Sequence, residues 1–329
     1  MLARTRERLA NEAATWRHLG LIDEALANTL AERYDARGSA GTLLLKWLGL
    51  FGILALGSAL ISILGMLAAD MGAGASAFLA AVISGSLWFL GANLAVDPRQ
   101  RHPILGSALI TVALIGSYGT LFLLAEALGF HHYEHFRGNL LFATAAAALG
   151  TAYRFGLRWP LLLGVLCFFH GVGMWHAYGG HGSYFAHIHD QRLMALAALA
   201  AIGLGVWHER KLEEGPLSRR AGFGSVYLIF GLLYLNLSLW FLSLKGIRLD
   251  WVLLFTAAGI AEIITGAALK DSRFTGFGVV FLGIDLYTRF FEHFWDRLSA
   301  GSFFALAGFL GMSLGAGFEY LARRRGIPA

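Results

Sequence analysis

Twelve histidines and a sparse set of carboxylates are the side chains of this 329-residue sequence best able to do chemistry, and their placement is uneven. Two stretches are dense. In His131-His132-Tyr133-Glu134-His135, imidazoles recur at three and four residues, a spacing that shares a helical face and can grip one cation. The run from His176 through His181, His187 and His189 to Asp190 is interleaved with glycines that would let a loop fold around a ligand. If that run is extended, His187 and His189 share a face. His293 stands with Glu292 and Asp296 farther along. Imidazole beside carboxylate suits a transition metal such as zinc, copper, nickel or iron, without selecting among them. Histidine clusters can also sense pH. The same residues rest comfortably at a membrane interface with no ligand at all, and no HExxH spacing occurs.

A second set is defined by its surroundings. Glu126, Glu262 and Asp285 fall inside apolar segments, where a charge is costly and marks a functional site by default. Glu126 lies near the outer end of its segment, Asp285 in an outer half, and Glu262 nearer the cytoplasm. Asn236, Tyr227, Tyr234 and Tyr287 extend a polar route between these levels. Each acid also has a plainer reading, in which an arginine snorkels inward to pair with it.

What must position these residues follows from composition. The chain is 57% hydrophobic and 14% charged, whereas soluble domains carry roughly a quarter charged residues. Forty-two glycines and nine tryptophans fit a membrane protein, where small residues let helices approach and indoles anchor at the interface. These features exclude a soluble enzyme, a disordered chain, a nucleic-acid partner and a disulfide scaffold, since Cys167 is the single cysteine. Crossing the hydrocarbon core takes about 20 apolar residues. Ten segments qualify, near 44–68, 73–96, 104–128, 139–153, 159–177, 192–207, 222–244, 250–269, 275–290 and 300–321. The fold expected is an all-α polytopic bundle over 42–329, preceded by a small helical hairpin over 1–41.

Loop charge orients the bundle. With a cytoplasmic N-terminus, the inner connections hold Arg99, Arg101, Arg154, Arg158, Arg210, Lys211, Arg219, Arg220, Lys270, Arg273 and Arg323 to Arg325. The outer ones hold only Arg137, Arg192, Lys245, Arg248, Arg289 and Arg297. Basic residues collect inside, so both termini are cytoplasmic and the number of spans is even. The hairpin reads from Leu9, Ala13 and Trp16 at helical spacing, a stop at Gly20, and a restart at Asp23. No signal-peptide pattern opens the chain.

Trp16-x3-Gly20-Leu21-Ile22 and Leu30-x3-Tyr34, with Arg289-Phe290-Phe291, Phe294-Trp295-Asp296 and the Arg323-Arg324-Arg325 tail, carry a family likeness. Over about a quarter of its length the chain resembles an uncharacterised family of predicted bacterial polytopic membrane proteins. The resemblance implies a bacterial inner-membrane location and a topology type, and no activity.

Three functional readings compete. In the first, a transporter or permease admits a cation or small solute through the outer histidine vestibule, with Asp285 or Glu262 coupling protons. In the second, an envelope protein that does not transport binds metal, senses pH or docks a partner through its outer loops. The third is a membrane enzyme using metal-bound water, with Glu134, Asp190 or Glu292 as base. The partners expected are the lipid bilayer, an envelope protein and a second copy of the chain. All five prolines lie outside mid-membrane positions and no repeat relates the two halves, which disfavours helices broken at proline.

Overall fold

The computed structural model describes residues 16–17, 19–26, 29, 40–96, 102–133, 135–174, 191–213, 217, 220–244, 249–294, 299, 301–302, 304–306, 308–309, 311–313 and 316. Among these there is no strand. The helices are α1 (Ala40–Met71), α2 (Ala73–Val96), α3 (Pro103–Ala127), α4 (Phe136–Phe155), α5 (Arg158–Met174), α6 (Gln191–Trp207), α7 (Phe223–Leu244), α8 (Leu249–Leu269) and α9 (Ser272–Phe294). A 3-10 turn, Phe130–His132, precedes α4, and a π-helical turn, His208–Leu212, extends α6. The chain divides into two compact units, Met1–Gly231 and Leu232–Ala329, so the boundary falls within α7.

Local sequence explains where helices begin and end. Pro103 opens α3, a position where its missing N–H costs nothing. Gly72 and Gly156 take positive φ values of 81° and 71°, closing α1 and α4 in a conformation that side chains with a Cβ rarely adopt. In the N-terminal segment, Gly20 N donates to Arg17 O and Leu21 N to Trp16 O, the paired bonds of a Schellman stop. Asp23 Oδ1 then accepts from Leu26 N at 2.7 Å, capping the restart. The rest of the expected 1–41 hairpin lies largely outside the described residues.

Small residues set the packing in both units. In unit 1, a Cβ on Gly106 would lie 2.7 Å from Ala95 N, and one on Gly91 2.9 Å from Gly106 O, so α2 and α3 meet backbone to backbone. Gly164 faces Leu149 and Gly171 faces Phe142 across α4 and α5, one antiparallel register seven residues on. Gly224 and Gly231, again seven apart, bring the start of α7 against Gly205 and Ile202 of α6. In unit 2, Gly259 faces Leu282 and Gly266 faces Thr275 across α8 and α9. Close approach of this kind maximises dispersion contact where no hydrophobic effect separates helix from lipid.

Among the described residues, seven helical stretches are long and apolar enough to cross a membrane, by length and composition. Their outer faces carry exposed Phe51, Phe78, Phe89, Leu196 and Ile264, a surface suited to lipid and unsuited to water. The chain is therefore read as a membrane-spanning helical protein. The count of ten spans is not reached among the described residues. Helix α4 has the length but carries Arg137 and Arg154 and many alanines, and α5 has 17 residues, about 25 Å of rise. The tenth segment is described only in part, as a short apolar helix over Phe304–Ser313.

Candidate functional site

Unit 2 gathers polar side chains on the inward faces of three helices. On α8 the buried stripe is Phe255, Gly259, Glu262 and Gly266. On α9 it is Phe274, Gly278, Phe281, Asp285 and Thr288. A Cβ on Gly278 would lie 2.6 Å from Gly259 O and 3.1 Å from Glu262 Cβ, so this glycine lets α9 lie directly alongside the acid. Glu262 and Asp285 each stand within about three residues, or 5 Å, of their helix midpoints.

Glu262 is 6% exposed and Asn236, on α7, is fully buried. Asn236 Nδ2 donates to Glu262 Oε1 at 2.7 Å and to Leu232 O at 2.9 Å. That uses both amide hydrogens. Asn236 Oδ1 and Glu262 Oε2 are left buried without a hydrogen-bond partner. Acceptors of this kind are completed by a proton on the carboxyl, a water molecule or a small cation.

Asp285 is 5% exposed. Its Oδ2 accepts from Thr256 Oγ1 at 2.5 Å, and its Oδ1 lies 3.4 Å from Arg289 Nε without forming a hydrogen bond. The arginine is held instead by Glu292 Oε2, 2.6 Å from Nη1, and by Ser243 Oγ, 3.1 Å from Nη2. Trp240 Nε1 donates to Thr288 Oγ1 at 3.0 Å on the same side. With the register set by Gly266 and Thr275, Glu262 lies about six residues, or 9 Å, from Asp285 along α9, and Glu292 about 10 Å beyond. The three acids are spread over about 20 Å of an otherwise apolar three-helix group, with buried Phe281 between the levels of Glu262 and Asp285.

The remaining expected site residues fall differently. Glu126 is exposed on the last turn of α3, so it is not a buried charge. His131 and His132 end a 3-10 turn, after which Tyr133 is extended and His135 adopts φ 62°. That break means His131, His132 and His135 do not share one helical face, contrary to their spacing. Glu134, His176, His181, His187, His189 and Asp190 lie outside the described residues. His293 is exposed in the last turn of α9. Among the described residues, no three His, Cys, Asp or Glu side chains form a metal-holding group. Gly276, Gly278 and Gly283 lie in an unbroken α9. Tyr227 lies in unit 1, its ring beside the His208 imidazole.

Sequence reasoning passed over two residues. Arg289, counted as an outer-loop charge, reaches back to Asp285. His208 is fully buried in the π-helical turn. Its Nδ1–H donates to Glu213 Oε1 at 2.9 Å, and Glu213 also accepts from Gly222 N at 2.7 Å and Gly224 N at 2.8 Å. Phe223 stacks on the imidazole and Tyr153 meets it edge-on. This knot closes the α6–α7 connection in unit 1. Compared with known proteins, the chain matches no family model, no curated protein and no solved structure.

Proposed function

We propose that this protein is a membrane carrier that exchanges a monovalent cation against protons, with Glu262 and Asp285 as its exchanging carboxylates. The observation that carries the reading is two acids buried near the middle of adjacent apolar helices, each with one oxygen lacking a hydrogen bond. An ionised carboxylate withdrawn from water loses several kcal/mol of solvation, and an acid kept in such a place is a functional candidate. Charge balance favours a single positive charge per acid. A proton or a monovalent ion neutralises Glu262, whereas a divalent ion would leave a net charge in a dry region. Asn236 suits either occupant, because its amide oxygen can accept from a carboxylic acid or coordinate an ion.

The test uses the full chain reconstituted into vesicles with an acidic interior and a trapped pH dye. Addition of sodium, potassium or lithium chloride outside is expected to dissipate the gradient for at least one cation. Glu262→Gln and Asp285→Asn are each expected to slow that exchange at least tenfold while elution and thermal midpoint stay near wild type. A gradient indifferent to all three ions, or full exchange by both variants, would overturn the reading.

A further inference from the structure

Arg289 stands between an inner and an outer acid and is held unequally by them. On the outer side, Glu292 and Ser243 take its two terminal nitrogens at hydrogen-bond distance. On the inner side, Nε and Asp285 Oδ1 face each other at 3.4 Å, both buried and neither with a hydrogen-bond partner. A closing movement of about 0.5–0.7 Å would bring that distance into the range of a short charge-assisted bond. A movement the other way would leave Asp285 without its counter-charge. Glu292 is 43% exposed and Asp285 6%, by side chain, so the arginine links a buried seat to an exposed one.

We propose that Arg289 is a tethered counter-cation that competes with the transported cation for Asp285 and retreats onto Glu292 when Asp285 is filled. This inference rests on the exchange reading above. Asp285, Arg289 and Glu292 together carry one negative charge, and uptake of one proton or one monovalent ion makes the trio neutral. While Asp285 is empty, the guanidinium is its substitute ligand, so the site is never left as an isolated buried anion. When a cation arrives, Arg289 loses its inner partner and keeps the outer one. Thr256 holds the inner seat, Asp285, from α8, and Ser243 marks the outer position of the guanidinium from α7. The next acid, Glu262, is too far to take over either role.

The same vesicle assay, read as the cation concentration giving half-maximal exchange, tests this with Glu292→Gln, Arg289→Gln and the double variant. Glu292→Gln removes the outer negative charge, biases Arg289 toward Asp285, and is expected to raise the half-maximal concentration about tenfold. Arg289→Gln removes the competitor and is expected to lower it. In the double variant the effect of Glu292→Gln should vanish. Equal shifts in the same direction, or a Glu292→Gln effect that persists without Arg289, would overturn the proposal. If the Arg289 variants do not fold, surface-exposed Glu292→Gln decides alone, and an unchanged half-maximal concentration sinks the idea. Wild-type exchange that needs Glu262 and Asp285 but ignores Glu292 would reject this inference and leave the exchange reading standing.

Discussion

The carboxylate of Glu213 receives two backbone N–H groups, from Gly222 and Gly224, and an imidazole N–H from His208, so a single side chain terminates one helix and starts the next. Helix N-termini carry unpaired donors and attract negative charge. Glu213→Gln keeps one acceptor oxygen but turns the other position into a donor facing donors. The expected loss is about 2 kcal/mol, read as a lower thermal midpoint of the detergent-purified protein with cation exchange retained in what folds. None of this was legible in the sequence. His208 and Glu213 sit in His208-Glu209-Arg210-Lys211-Leu212-Glu213, and such a run looks like a solvated loop because composition reports charge and not the direction a side chain takes. Glu262 and Asp285 could be found because each interrupts a long apolar stretch. Glu126 gave the same signal and is exposed, since an acid in the last turn of a helix differs from one at its middle only by a boundary that sequence places within a few residues.

Helix pairs seamed by glycine are the recurring element, with Gly164 and Gly171, Gly224 and Gly231, and Gly259 and Gly266 each seven residues apart. A seven-residue period keeps one face toward one neighbour along the whole length of a pair. The seams make a sharp prediction within α9. Gly278→Ala would place a methyl 2.6 Å from the Gly259 carbonyl oxygen and force α8 and α9 apart beside Glu262. Overpacking of this kind costs roughly 1–3 kcal/mol, so both thermal midpoint and exchange rate should fall. Gly276→Ala meets nothing within 4 Å and should leave both unchanged or raise stability slightly. Equal behaviour of the two variants would show that the seam does not govern the site. The abundance of glycine was visible in the composition, but which glycines touch backbone was not, because in such a chain the spacing recurs by chance.

Across the molecule, nine of the ten apolar segments read from the sequence fall on described helices, while seven stretches meet the length and apolarity of a span. The difference lies in α4 and α5, and unit 1 bears on it directly. Arg220 Nε donates to Tyr153 O at 2.7 Å and Arg158 Nη2 to Ala221 O at 3.0 Å, tying the α4–α5 turn to the start of α7. That turn therefore shares a level with the end of α6, which favours α4 and α5 crossing despite their modest length and charge. With Cys167→Ser as background, cysteines at Arg154, Ser218 and Ser39 should react with an impermeant maleimide only after permeabilisation. Cysteines at Ser183 and Ser299 should react from outside. Outside labelling at Arg154 would reduce the count by two and keep both termini on one side. The seam between α8 and α9 has a mechanical consequence as well. A seam in which glycine lies against backbone and against Leu282 and Thr275 leaves little room to repack, so those two helices are expected to travel together, sliding or tilting as one. In unit 2, α7 meets the other two helices through side-chain hydrogen bonds of Asn236, Trp240 and Ser243 to Glu262, Thr288 and Arg289. Alternating access to the two acids would then be a shear of the α8–α9 pair past α7, and a cross-link between α7 and either helix would arrest it while one between α8 and α9 would go unnoticed.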